Sequence, residues 1–145
     1  MNSEDPFRLK RFLDAQEDDY FMALSELRNG RKRSHWIWYI FPQVDGLGSS
    51  TMAQEYAIKS KDEAIAYLTH DVLGSRLQEC ALCLLQHQDK SINTIMGFPD
   101  DLKLKSSMTL FAMLSSSGSV FQRILEIFFQ GDLCNQTLSR VKPSK

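Results

Sequence analysis

Apolar positions recur at intervals of three and four along most of the chain, the pattern of helices that turn one face to a core. Phe7, Leu9, Phe12 and Leu13 follow Asp5-Pro6, an aspartate ahead of a proline suited to the first helical position. Phe21, Leu24 and Leu27 carry the stripe through residues 17–29, where Arg28 and then Gly30 supply a stop. Ser60 and Glu63 form a capping box ahead of "AIAYL". Asp71 is placed to cap "VLGSRLQECALCLLQH", in which Val72, Leu73, Leu77, Cys80, Leu84 and His87 trace one stripe. Ser91 opens a short helix that Gly97 closes, Asp100 or Asp101 is placed to cap "LKLKSSMTLFAML", and Ser119 caps "VFQRILEIFFQ", which Gly131 ends. Leu138 and Val141 suggest a last turn or two before a tail, residues 142–145, expected to fray.

The stretch "HWIWYIF" departs from this pattern. It is apolar at both parities and rich in β-formers, which fits a buried strand. An isolated strand in a helical chain would leave its backbone groups without partners. A short buried helix, opened by Ser34 and closed by Pro42, is therefore expected. The predicted fold class is all-α: a single domain over residues 1–145, its core spanning about 5–141, with about seven or eight short helices.

Composition narrows the class further. The chain has 145 residues, enough for one sizeable core, and its 43% hydrophobic and 24% charged residues are ordinary for a globular domain. A net charge of −1 gives no global field for nucleic acid or an anionic membrane. No apolar run approaches the length of a membrane span, and "MNSEDPF" has no signal-peptide core. Three cysteines make a disulfide framework improbable and fit a reducing cytoplasm. Arg28, Arg31, Lys32 and Arg33 cluster at a helix end, where they complement its dipole; sequence-specific nucleic-acid binding is not expected of so short a patch.

The string "GRKRSHWIWYIFPQVDGLGSS", followed in order by "AQEYAI", "EAIAYL", "LGSRL" and "DDLKLKSSMTLF", resembles the domain-of-unknown-function 1810 family, from "DPFRLKRFLDAQ" to about "FFQGDLCNQTL". The resemblance implies a mainly helical fold and no assigned activity. The chain departs from the family pattern at Asp71, where proline is usual, and "DLCNQTL" matches the C-terminal motif only loosely.

Three polar islands interrupt the apolar helices: His35 to Gln43, Gly46 to Ser50, and Lys105 to Thr109. On a helix, residues two apart point about 200° apart, so Trp36 and Trp38 cannot both face one core; one is expected to line a groove as a stacking wall. His35, near a helix N-terminus, is the acid–base candidate for a hydrolytic or glycosidic cleavage; its plain reading is structural. Gln43 follows a proline. Gly46 and Gly48 lead through Ser50 into a helix start, an arrangement that suits an anion or is simply a capped loop. The Walker and dinucleotide patterns are both missing. Lys105, Ser106 and Thr109 share a helix face and, with Ser107, put a cation beside hydroxyls; close helix packing is the competing explanation. Arg76 either clamps the same anion or pairs with Glu79 or Asp71.

Cys80, Cys83 and His87 lie on one face but fall short of four zinc ligands, so no metal and no cofactor are expected. The functional expectation is a pocket for a small anionic, phosphate- or nucleotide-like, ligand. The alternative is an interaction module or homodimer that uses the aromatic run or Phe121, Ile124, Leu125, Ile127, Phe128 and Phe129, which cover more than one helix face.

Overall fold

In the computed structural model, which describes residues 5–141, the apolar stripes become α1 (Lys10–Arg28), α2 (Ile37–Ile40), α3 (Thr51–Glu55), α4 (Lys61–Thr69), α5 (Asp71–Leu85), α6 (Ile92–Met96), α7 (Asp100–Met113), α8 (Val120–Phe129) and α9 (Asn135–Val141). These are nine helices among the described residues rather than seven or eight. Three have only four or five residues, too short for a periodicity to show. The tail expected to fray, residues 142–145, lies outside the described residues. The fold class is all-α, and no helix among the described residues is long and apolar enough to cross a membrane.

The caps explain most boundaries. Ser50, Ser60, Ser91 and Ser119 each accept a backbone N–H three residues on, opening α3, α4, α6 and α8. Asp5 works at longer range than a simple cap. Its carboxylate accepts from Leu9 N at 2.7 Å and Lys10 N at 3.0 Å, because Arg8, at φ 53°, turns the chain between Pro6 and α1. At the other end of α1, Gly30 takes φ 74° and Arg31 N donates to Glu26 O at 3.0 Å, a Schellman closure. Two expected caps are corrected. His70, not Asp71, caps α5, its Nδ1 accepting from Val72 N and Leu73 N at 3.1 and 3.2 Å; Asp71 is the first helical residue. In α7 the cap position falls on Pro99, and Asp100 and Asp101 occupy the first turn.

The "HWIWYIF" segment is a buried helix, but Ser34 does not open it. The cap is Trp36, and Ser34 is turned to Glu26 of α1. The Glu26 carboxylate accepts from Arg33 N (2.8 Å), Ser34 N (3.0 Å), Ser34 Oγ (2.6 Å) and Trp36 Nε1 (2.9 Å). Burial would raise its pKa, but these donors outweigh burial and hold it below the ordinary glutamate value. Ile37, Tyr39, Ile40 and Phe41 then sink into a core that runs between α1, α5, α7 and α8. Fully buried Phe12, Tyr67, Phe111 and Phe121 anchor it, each contributing about 1.5–3 kcal/mol by burial. The apolar face of α8 is spent on this core: Phe121, Ile124, Leu125 and Phe128 are buried, and Ile127 and Phe129 pack beside them. Of these six residues, Ile127 and Phe129 keep part of their surface exposed.

Outside the helices, a short parallel bridge joins Val44 to Ile58. Ile58 N donates to Gln43 O at 2.9 Å, and Asp45 N donates to Ile58 O at 2.8 Å. This pair fixes the 43–47 loop against the chain leading into α4.

Candidate functional site

Hydroxyls lower helix propensity, so the dense polar run in α7 needs a compensating partner. The partner is the segment before α9. Thr109 Oγ1 donates to Lys105 O at 2.8 Å and accepts from Cys134 N at 3.0 Å. Ser106 Oγ donates to Cys134 Sγ at 3.2 Å. Ser106 and Thr109, three residues apart and thus on one helix face, therefore hold residues 132–136 against α7.

Between α7, that segment and the 43–47 loop lies a cavity of about 470 Å3. Gln43, Lys103, Lys105, Ser106, Asp132, Cys134, Asn135 and Gln136 line it, with Leu47, Pro99, Leu102 and Leu133 as apolar wall. Lys105 Nζ lies 2.8 Å from Asp132 Oδ2, and this contact holds the Asp132 carboxyl below its usual pKa. Asp132 is largely exposed, so the pair sits at the cavity mouth. Lys103 Nζ is 3.5 Å from Asp100 and 5.3 Å from the centre of the Trp38 ring, a cation–π contact. Burial would raise the Cys134 thiol. Hydrogen bonds from the Ser106 hydroxyl and from the Thr137 and Gln136 backbone outweigh burial and lower its pKa. The other two cysteines behave oppositely: both are buried, and burial pushes Cys80 up to about 12. Among the described residues no group of three or more His, Cys, Asp or Glu could hold a metal ion.

Of the predicted residues, the cavity brings together Gln43, Lys105 and Ser106. Thr109 stands behind its wall as the tether to Cys134. The others lie elsewhere. His35 is exposed and absent from the cavity wall. Trp36 is 0% exposed and bound to Glu26, so no ring face is left for a ligand. Trp38 is half-buried under Lys103. Ser107, about 100° round α7 from Ser106, is fully buried and its hydroxyl has no hydrogen-bond partner among the described residues. Ser50 is an exposed helix cap. Gly48 packs on α3, where an added Cβ would sit 2.8 Å from that of Ala53. Arg76 binds neither Glu79 nor Asp71: Nη1 donates to Gln16 Oε1 at 3.3 Å, and the guanidinium lies 4.6 Å over the Tyr20 ring.

Gly46 lines a second cavity of about 900 Å3, which shares Leu47, Asn135 and Gln136 with the first and ends at Lys59, Ser139 and Arg140. Sequence reasoning missed Asp132, Cys134, Asn135 and Gln136. In "DLCNQTL" neither period nor motif marks a wall, and a cysteine reads as a small apolar residue.

Over residues 6–141 the sequence matches the family described as "Protein of unknown function (DUF1810)". The chain belongs to the DUF1810 family. Its fold is similar to that of the conserved hypothetical protein Rv1873 from Mycobacterium tuberculosis, known from a crystal structure at 1.38 Å. The two are 48% identical with a TM-score of 0.94, covering 97% of this chain and 100% of that one. No curated protein matches the sequence. The departure of this DUF1810 chain at Asp71 has a structural explanation: residue 71 is the first helical position of α5, where proline and aspartate are both favourable.

Proposed function

We propose that this DUF1810 protein binds a small molecule through an anionic group, phosphate- or carboxylate-like, in the cavity between α7, the 43–47 loop and residues 132–136. One observation carries the reading: Gln43 and the Lys105–Ser106 pair, about sixty residues apart in the chain, line one cavity of about 470 Å3. That volume is in the range of small-molecule pockets and admits a sugar phosphate or a mononucleotide. Lys105 supplies the cation. Its partner Asp132 is 74% exposed and an incoming anion replaces it at little cost, since exposed ion pairs contribute only about 0–1 kcal/mol. Gln43, Asn135 and Gln136 supply amide donors, and Cys134 places a thiol in the same wall. His35 has no part in this reading, and ligand binding rather than glycosidic cleavage is what the arrangement supports.

The test is calorimetric titration with inorganic phosphate, ribose 5-phosphate and AMP, alongside melting temperatures. Wild-type protein is expected to bind at least one of them. Lys105→Ala should weaken that binding by about tenfold or more, the scale of a lost charged hydrogen bond. Asp132→Asn should strengthen it, because the competing carboxylate is gone. Absence of any wild-type binding, or an affinity unchanged in Lys105→Ala, would reject the reading.

A further inference from the structure

The second cavity holds a cation in a different state from Lys105. Arg140 of α9 has no ion-pair partner among the described residues, and its guanidinium rests on the backbone of Gly46. Gly46 takes φ +96°, and a Cβ there would come within 2.4 Å of Arg140 Nη1. The backbone angle favours glycine here, and a side chain would in addition force the guanidinium to move. Arg140 is exposed, and among the described residues it gives up no ion pair when it meets an anion.

The two cavities share Leu47, Asn135 and Gln136 in their walls and run along the same helix, with Lys105 at one end and Arg140 at the other. Cys134, in the wall of the first cavity, and Arg140, in the wall of the second, are six residues apart on the segment that ends in α9. Lys59, the other cation of the second cavity, is 3.3 Å from Asp45 and already paired.

We propose that the groove takes an elongated ligand with an anionic group at each end, of the bis-phosphorylated class, and that Arg140, placed by Gly46, is the anchor for its second end. This inference rests on the reading of Lys105 as the first anchor. A ligand spanning both sites gains from effective concentration, and the gain peaks where its length matches the span.

The experiment is calorimetric titration with methylphosphonate and with α,ω-alkane bisphosphonates of increasing chain length, on wild type, Lys105→Ala, Arg140→Ala and Arg140→Gln. Melting curves establish that each variant is folded. In wild type, affinity is expected to rise at least tenfold above methylphosphonate and to peak at one intermediate chain length. Both Arg140 variants should lose that peak and fall to the methylphosphonate level. A wild-type affinity that does not depend on chain length, or a peak that survives in both Arg140 variants, overturns the second anchor and leaves the first standing. If neither methylphosphonate nor any bisphosphonate binds wild type, or if Lys105→Ala binds them all unchanged, both readings fall.

Discussion

At Cys134 the backbone and a single hydroxyl reverse what burial does to the other cysteines. Its thiol receives Ser106 Oγ–H at 3.2 Å together with N–H groups at the start of α9, and its pKa falls below the ordinary thiol value. Cys80 and Cys83 are raised, chiefly by burial. Alkylation follows the thiolate, so the three should separate kinetically. With iodoacetamide at neutral pH, Cys134 is expected to react first, and Cys80 and Cys83 only on unfolding, as followed by mass spectrometry of the digested chain. The pH–rate curve of Cys134 should have its midpoint below that of a free thiol, and Ser106→Ala should move it up. Equal labelling of all three in the folded protein would contradict this assignment. None of it was legible in "DLCNQTL", where the cysteine sits among polar residues of no periodicity. Lys105, Ser106 and Gln43 were legible because each breaks an apolar run. His35 and Arg76 stand out in the same way, yet serve other places, because sequence alone cannot say which elements a polar side chain will meet.

At the scale of elements, caps were the readable part. Serine caps open α3, α4, α6 and α8 because their hydroxyls act three residues away, within reach of local sequence. The entry to α2 was not readable, since its organiser is Glu26, eight to ten residues back on α1. That carboxylate gathers two backbone N–H groups, a hydroxyl and an indole N–H, all donors. Glutamine keeps the shape, loses the charge and adds donors of its own. Glu26→Gln should therefore cost about 1–3 kcal/mol in urea unfolding at neutral pH. The sign of its pH dependence follows from the lowered pKa. The folded carboxyl binds its proton less readily than the unfolded one, so its stabilisation is complete above the ordinary glutamate pKa and is lost as pH falls through the folded value. Wild-type stability should decline across that acidic window, and the difference from Glu26→Gln should shrink with it. A constant gap between the two proteins down to acid pH would show that the charge was not responsible.

The whole molecule is closed by a residue that the sequence presents as one more surface arginine. Arg11 lies on α1, with a side chain only 8% exposed, 2.7 Å from a Glu63 that is itself 3% exposed. It also donates to four main-chain carbonyls, those of Phe7, Arg8, Glu55 and Ala57. Glu63 reaches back to Lys59 N at 2.8 Å, so one guanidinium ties the chain before α1, the turn after α3 and the start of α4. Ser60–Glu63 was legible as a capping box, but its long-range partner was not: Arg11 is 52 residues away and lacks any local signature. Losing one member of a buried pair costs about 3–5 kcal/mol, whereas replacing both with apolar residues is often nearly neutral. The carbonyls decide which rule applies here. With Arg11 gone, the part-buried carbonyls of Phe7 and Ala57 lose a donor whatever occupies position 63, and an acceptor left buried without a partner is costly, whereas the exposed ones of Arg8 and Glu55 can turn to water. Arg11→Met should therefore destabilise the protein by about 3–5 kcal/mol in urea unfolding. The double variant Arg11→Met/Glu63→Leu should recover little of that loss. Recovery to wild-type stability would mean that the ion pair alone, and not the convergence of backbone on Arg11, closes the fold.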